Sequence, residues 1–280
     1  MMKWRCLHHL FDLDERGEIM GIVNTTPDSF SDGGRYDSVE LAVAHARRLI
    51  GEGAAIIDIG GESTRPGAAD VDEAEEIRRV LPLVEALAAE FPGIALSIDT
   101  CKAGVARAAV AAGAAIINDV TGFRDAAMVA VGAESGAGLV VMHMQGSPRT
   151  MQHDPVYTDL RGEITAFFQD RFAALTAAGV KPESIVFDPG IGFGKTLEHN
   201  LAILRQLDQF TVEGRPILLG VSRKSFIGKL VGSDNLEDRH WPTVAITAHA
   251  REQGVALHRV HEVKANLQAL RMTEAILRSA

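Results

Sequence analysis

The sequence predicts an α/β protein of the (β/α)8 TIM-barrel class, a single domain with a short N-terminal extension. Three observations predict it. Eight short apolar runs, none longer than seven residues, recur along the 280-residue chain. They are continuous in Ile, Val, Leu and Ala rather than alternating, as strands buried on both faces are. The segments between several of them carry apolar residues at helical spacing, and each run ends in polar residues or glycine. An open, doubly wound sheet is the weaker alternative, because periodicity does not show closure. No Gly-x-Gly-x-x-Gly follows the first run, which removes its usual dinucleotide-binding form.

Residues 1–18 precede the first strand and are expected to cover the bottom of the barrel, which spans 19–265. The first strand is expected at Ile19–Asn24. Ser38–Gly51 reads as a helix with Val39, Ala42, Val43, Ala46 and Ile50 on one face and Ser38 as its N-cap. Ala55–Gly60 is the next strand. It is followed by a helix over Val71–Phe91, whose Ile77, Val80, Leu81, Val84 and Leu87 share a face and whose Pro82 bends or weakens it. Strands follow at Ile94–Asp99, Ala114–Asp119 and Gly138–His143, then a helix over Leu160–Ala178. Ser184–Asp188 precedes a helix at Asn200–Leu207. Pro216–Ser222 precedes one at Thr243–Gln253, with Pro242 in its first turn. Ala256–His261 is the eighth strand, and the last helix, Val263–Arg278, lies within 263–280. No repeat, low-complexity tract or linker divides residues 1–280.

Composition bounds the function. Hydrophobic residues make up 46% and charged residues 23%, which excludes disorder as the main state. A net charge of −9 argues against nucleic acid and anionic membranes as partners. No apolar run reaches the ~18 residues of a membrane span, and Met1–Leu10 is too polar for a secretory signal. Cys6 and Cys101 have no paired spacing, which points to a reducing, cytoplasmic setting.

The strand ends, where a barrel carries its active site, read in order Asn24, Asp58 with Glu62, Asp99, Asn118 with Asp119, His143, Asp188, Ser222 with Lys224, and Arg259 with His261. Any one is explained as a turn cap or a satisfied polar group. The ring as a whole fits a site for a polar, nitrogen-rich planar molecule together with an anion. The polar loops 24–34 and 60–67 suit lids or anion clamps. Gly190-Ile-Gly-Phe-Gly-Lys-Thr196 invites a phosphate-loop reading, but the required first glycine falls on Pro189. The remaining histidines lack metal-ligand spacing, and Cys101 has no activating pair beside it.

Three segments carry a resemblance: Ile22-Val-Asn-Thr-Thr-Pro-Asp-Ser-Phe-Ser-Asp-Gly-Gly34, Asp58-Ile-Gly-Gly-Glu-Ser-Thr-Arg-Pro-Gly67 and Asp188-Pro-Gly-Ile-Gly-Phe-Gly-Lys195. With Ser97-Ile-Asp-Thr100, Ile117-Asn-Asp119, Met142-His-Met-Gln145, Ser222-Arg-Lys-Ser225 and Arg259-Val-His261, in this order, the chain resembles the dihydropteroate synthases. The resemblance implies a cytoplasmic homodimer of (β/α)8 barrels in folate biosynthesis. It would join (7,8-dihydropterin-6-yl)methyl diphosphate to 4-aminobenzoate, with Mg²⁺ present, and sulfonamides would compete.

It further implies that Asp188 receives the amino-pyrimidinone edge of the pterin, with Asp99 and Asn118 on other heteroatoms. Lys224 would donate to the ring, Met142 would pack on its face and Gly220 would line it. Asn24, Thr64, Arg65, Arg259 and His261 would take the diphosphate, with Asn24 a ligand for Mg²⁺. Phe30, Asp32, Pro66 and Phe193 would close over the aminobenzoate, whose carboxylate would meet Ser222. The chain departs from the family at Glu262, where Asp is frequent, at Thr25 and Ile191, and over Asp234–Thr243. A folate-dependent methyltransferase would share Asp99 and Asn118 but would not need Ser-Thr-Arg-Pro or Arg-x-His. A non-catalytic pterin-binding paralogue is the other alternative.

Overall fold

The computed structural model describes residues 2–25, 35–63, 70–146 and 151–279. Among them, a hairpin of β1 (Lys3–Cys6) and β2 (His9–Asp12) precedes eight further strands. These are β3 (Glu18–Asn24), β4 (Ile56–Gly60), β5 (Ala95–Asp99), β6 (Ile116–Asp119), β7 (Gly138–Met142), β8 (Ile185–Asp188), β9 (Leu218–Leu219) and β10 (Leu257–Val260). They run parallel in the order β8-β7-β6-β5-β4-β3-β10-β9. The ring closes through one bridge, Phe187 to Ile217, where the Phe187 N–H donates to the Pro216 carbonyl at 3.0 Å.

The described helices are α1 (Arg35–Gly51), α2 (Glu73–Glu90), α3 (Ala103–Ala111), α4 (Ala126–Ser135), α5 (Leu160–Ala177), α6 (Leu197–Arg205), α7 (Ser225–Val231), α8 (His240–Glu252) and α9 (Val263–Arg278). They cover the outward strand residues, among them Ile57, Ile59, Leu96, Ile98, Ile117, Val141 and Phe187.

The period of two along each strand sets the interior. Met20, Ile56, Ala95, Ile116, Val140, Val186, Leu218 and Leu257 form one apolar layer at the lower end. Two residues further along the same strands stand Ile22, Asp58, Ser97, Asn118, Met142, Asp188, Gly220 and Arg259. One step up the barrel therefore exchanges an apolar layer for a largely polar one. Below, Trp4, Cys6 and Leu13 are fully buried against the apolar layer. The Trp4 indole N–H donates to the Ser184 carbonyl at 2.9 Å, and losing so large a buried side chain costs about 3 kcal/mol or more.

Several elements differ from expectation. Ser38 is no N-cap: α1 begins at Arg35, which places Ser38 inside the helix. α6 begins at Leu197 rather than Asn200, because Thr196 and His199 form a capping box that closes its first turn. The strand expected over Pro216–Ser222 is reduced to Leu218–Leu219, at the seam where the ring closes. α2 runs through Pro82 and is capped by Asp72, whose side chain accepts from the Glu75 N–H. The sequence pattern assigns no range to α3, α4 or α7. α3 and α4 are rich in Ala and Val with scarcely a polar face, and α7 has seven residues, so none shows a clear amphipathic period. Among the described residues, no helix is long and apolar enough to cross a membrane.

Candidate active site at the mouth of the barrel

The polar layer is tied together by Arg259. Its Nε donates to Asp58 Oδ2 at 2.5 Å and its Nη2 to Asp99 Oδ2 at 2.6 Å. Asn118 Nδ2 donates to the same Asp58 oxygen at 3.2 Å. Asp58 is wholly buried, and its Oδ1 has no partner among the described residues. Burial raises Asp99 to about 7, opposed by Arg259 and reinforced by the charge of Asp58. Burial also works against the charge on Arg259, yet Asp58 and Asp99 hold it more firmly protonated than usual.

Two strands around the ring from Arg259 stands Asp188, buried at the end of β8. Its Oδ1 accepts the Gly190 N–H at 2.7 Å. Burial raises its pKa, with Lys224 the strongest opposing charge. Lys224 Nζ donates to the Ile191 carbonyl and stands 4.5 Å from the centre of the Phe193 ring. Burial lowers Lys224 to about 8 against the pull of Asp188. A Cβ on Gly220 would lie 3.6 Å from Asp188 Oδ2 and 3.9 Å from Arg259, so the glycine leaves a hollow between the two. Met142 packs with Val120, Met144 and Met151, against which Phe193 leans. The result is an apolar wall beside a rim of donors and acceptors.

The loop after β8 turns on glycines at 190, 192 and 194, with φ of 67°, 80° and 59°. A Cβ on Gly190 would come within 2.0 Å of the His143 carbonyl oxygen, and one on Gly194 within 2.8 Å of that of Gln145. These glycines bring two backbones together, which accounts for a glycine-rich segment without phosphate-loop spacing. Lys195 is buried behind them. Its Nζ contacts the Phe193 carbonyl at 2.9 Å, the His143 carbonyl at 3.3 Å and His143 Nδ1 at 3.1 Å. Burial lowers Lys195 to about 7 and His143 to about 2, so the imidazole is neutral, and its Nδ1 accepts when Lys195 is the ammonium.

On the β3–β4–β10 side, a Cβ on Gly60 would lie 3.4 Å from Asn24 Oδ1 and 3.9 Å from Asp99 Oδ2, so both oxygens approach one spot above this glycine. The Ser222 hydroxyl accepts the His261 N–H at 3.1 Å and lies 2.9 Å from His261 Nδ1. Glu262 pairs with Arg223, which gives the departure from Asp a structural use. Lys102 Nζ bridges Glu62 and the buried Glu76 at 2.5 Å each, and Glu62 Oε1 accepts the Val71 N–H at 3.1 Å. Cys101 is half-buried and its thiol is pushed up by burial to about 11, as suits a packing residue.

Asp99, Asn118, Met142, Asp188, Gly220, Lys224 and Arg259 thus stand around one mouth, with Phe193 on one side and Asn24, Ser222 and His261 on its rim. Phe30, Asp32, Thr64, Arg65 and Pro66 lie outside the described residues. Sequence reading puts Asp58 and His143 in the polar ring without a role of their own, and gives Lys195 none. The partners of Asp58 and Lys195 are 201 and 52 residues away, respectively, beyond the reach of any spacing rule.

The fold and the site define a class: a (β/α)8 barrel whose mouth gathers buried carboxylate, amide and ammonium groups beside an arginine and a histidine, a lining whose chemistry suits a flat nitrogenous ring with an anion. The comparisons with known proteins agree. The chain belongs to the pterin-binding enzymes, whose family pattern matches residues 20–261, and within them to the dihydropteroate synthases. It is 45% identical over 270 residues to the dihydropteroate synthase of Synechocystis sp., covering 96% of this chain and 93% of that one. The Yersinia pestis dihydropteroate synthase, solved with a sulfonamide drug complex, superposes with a TM-score of 0.93 at 44% identity over 100% of both chains. The Xanthomonas albilineans enzyme, solved with 4-aminobenzoic acid, gives 0.91 at 44% identity over 98% of each.

Proposed function

We propose that this chain condenses (7,8-dihydropterin-6-yl)methyl diphosphate with 4-aminobenzoate to give 7,8-dihydropteroate and pyrophosphate, a transferase step of folate biosynthesis. The observation that carries the reading is the convergence of Asp188, Asn118 and Lys224 beside Met142, with Arg259 on the far side of Gly220 from Asp188. The 4-aminobenzoic acid and sulfonamide bound to the two structural neighbours support the second substrate and its mimic.

An amino-pyrimidinone edge offers two adjacent N–H donors, and an ionised carboxylate accepts both. Asp188 is the group placed for it; the donors offset the burial that raises its pKa. Asn118 and Asp99 meet further ring heteroatoms, and the Lys224 ammonium donates to the ring carbonyl or a ring nitrogen. Met142 packs on the flat face.

The methylene carbon–oxygen bond then breaks, and its electron pair leaves with the diphosphate. Arg259 and His261, with Asn24, Thr64 and Arg65, receive the growing negative charge, and the cation is delocalised into the dihydropterin. The aminobenzoate nitrogen attacks the methylene and loses its proton to pyrophosphate or water. The amine is already nucleophilic, so the site needs no nucleophile–histidine–acid set. Phe193 would border the aminobenzoate ring, a role also given to Phe30, Asp32 and Pro66, which lie outside the described residues. Ser222, whose hydroxyl lies against the His261 N–H and Nδ1, would meet the substrate carboxylate.

The Asn24 side-chain oxygen, beside Gly60, is a hard donor of the kind Mg²⁺ takes, whereas Asp99 Oδ2 is already held by Arg259. Asn24 would supply one ligand and the diphosphate most of the rest; when bound, the ion supplies positive charge to the diphosphate oxygens. A homodimer is supported by apolar surface on α8 and α9, where Trp241 is 71%, Met272 64% and Ile276 63% exposed. The unpaired Cys6 and Cys101 support a cytoplasmic setting.

The test is pyrophosphate release from the pterin diphosphate with Mg²⁺, with and without 4-aminobenzoate. Amine-dependent release with an equal amount of dihydropteroate is expected. Absence of release from protein that binds the pterin would replace this reading with a binding-only paralogue.

A further inference from the structure

The mechanism makes no use of Lys195, although it is 3% exposed and lies directly behind the mouth. Among the described residues no carboxylate stands within ion-pair distance of it. Burying an ammonium without a counterion is costly, and a methionine would fill the same space without that cost. What the ammonium adds is direction. Its three hydrogens meet three acceptors: the carbonyls of Phe193 and His143, and His143 Nδ1.

Those acceptors lie on two separate pieces of the site. His143 follows β7, and its N–H donates to the Asp188 carbonyl at 2.9 Å. Phe193 crowns the glycine turn, and its N–H donates to the Gly190 carbonyl at 3.0 Å. Gly190 in turn donates to Asp188 Oδ1. The turn has three glycines at positive φ and so has little stiffness of its own.

We infer that Lys195 is a positioning residue, bracing the Gly190–Gly194 turn against the end of β7 so that Phe193 and Asp188 keep a fixed separation. This rests on the reading of Phe193 as a wall of the aminobenzoate site. The ring would otherwise drift with its turn, and the second substrate would meet it at a variable distance from the bound pterin. Asp188 gains as well, because the charge on Lys195 favours its ionised form.

The experiment is Lys195→Met in the full chain, read in two ways. Hydrogen exchange of the free protein should speed up about tenfold in peptides covering 189–194, the effect of losing charged hydrogen bonds. Steady-state kinetics should show the KM for 4-aminobenzoate raised about tenfold, with that for the pterin diphosphate raised less than about threefold. Lys195→Gln, which keeps an amide donor, should recover part of both effects; it also carries the readouts if the methionine variant does not fold. Unchanged exchange, or an equal rise in both KM values, overturns the inference. Phe193→Ala separates the two readings. An unmoved aminobenzoate KM there refutes the role given to Phe193, while the exchange data still decide on Lys195.

Discussion

Arg259 and Asp58, 201 residues apart, meet inside the barrel at 2.5 Å, and the same Asp58 oxygen accepts from Asn118. One buried carboxylate therefore orients both a residue proposed for the pterin and the arginine proposed for the leaving group. The pairing restrains a long side chain that would otherwise lie anywhere across the mouth.

Asp58→Asn keeps an oxygen acceptor but removes the charge. It is expected to lower kcat/KM for the pterin diphosphate by about 10- to 100-fold and stability by about 2 kcal/mol, because Arg259 keeps only Asp99 as a counterion. Arg259→Ala should mainly lower turnover and diphosphate affinity. Pyrophosphate-release kinetics with thermal melts check both; unchanged kinetics in Arg259→Ala would remove it from leaving-group stabilisation.

The pH profile should be narrow. Asp99 must ionise, which happens above about 7, and Lys224 must keep its proton, which holds below about 8. Hence kcat/KM should rise through about pH 7, with Asp188 adding to that limb, and fall above about pH 8. Lys195, drawn down to about 7, loses its charge and one of its three N–H donors over the same range, which weakens its brace and its support of ionised Asp188. Asp99→Asn should flatten the acidic side at a lower overall rate. A rate independent of pH between 5.5 and 9 at about wild-type value would contradict the assignment.

Gly190→Ala and Gly214→Ala separate clash from backbone strain. Both glycines have φ near 65°, yet a Cβ on Gly214 meets nothing within 4 Å, whereas one on Gly190 reaches 2.0 Å from the His143 oxygen. The expected cost is about 1 kcal/mol at Gly214, and about 3 kcal/mol or more at Gly190 with loss of activity. Chemical denaturation of the two variants makes the comparison.

Acid should act through buried imidazoles. Burial, with Arg251 nearby, lowers His258 to about 3, while the unfolded chain binds this proton near 6.5. The unfolded state therefore takes up the proton first, and stability is lost as pH falls from 6.5 towards 3, by on the order of 1 kcal/mol per unit. His258→Leu should lose less stability than wild type between pH 7 and pH 5, measured by denaturant midpoint. Parallel curves would contradict it.

Strands buried on both faces carry their pattern openly, and so the eight runs and the polar ring at their ends are legible in the order of the residues. Helices announce themselves only through a polar face. Ala103–Ala111 and Ala126–Ser135, nearly all small and apolar, therefore went unseen. The site divides in the same way. Asp99, Asn118 and Asp188 occupy the last two positions of their strands and Lys224 heads the helix after β9, so all four could be read from position. The grip of Asp58 on Arg259 and the brace from Lys195 to His143 exist only after the ring has closed. One signal was available for Asp58: it sits two residues past the apolar Ile56, as Asp188 does past Val186.

The hairpin at the other end of the molecule bears on the site through the seam. Arg215, just before β9, donates from Nε to the Ile185 carbonyl at 3.1 Å and from Nη2 to the Lys3 carbonyl at 2.7 Å, while Trp4 holds Ser184. The first dozen residues thus work as a clasp, fastening the one junction where the staves are joined by a single bridge. The staves on either side of it lead to Asp188 and to Gly220, Ser222 and Lys224. A chain deprived of its clasp would lose none of the groups at the mouth and yet let the two halves of the pterin slot spread apart, so affinity would suffer from a cut made at the opposite pole.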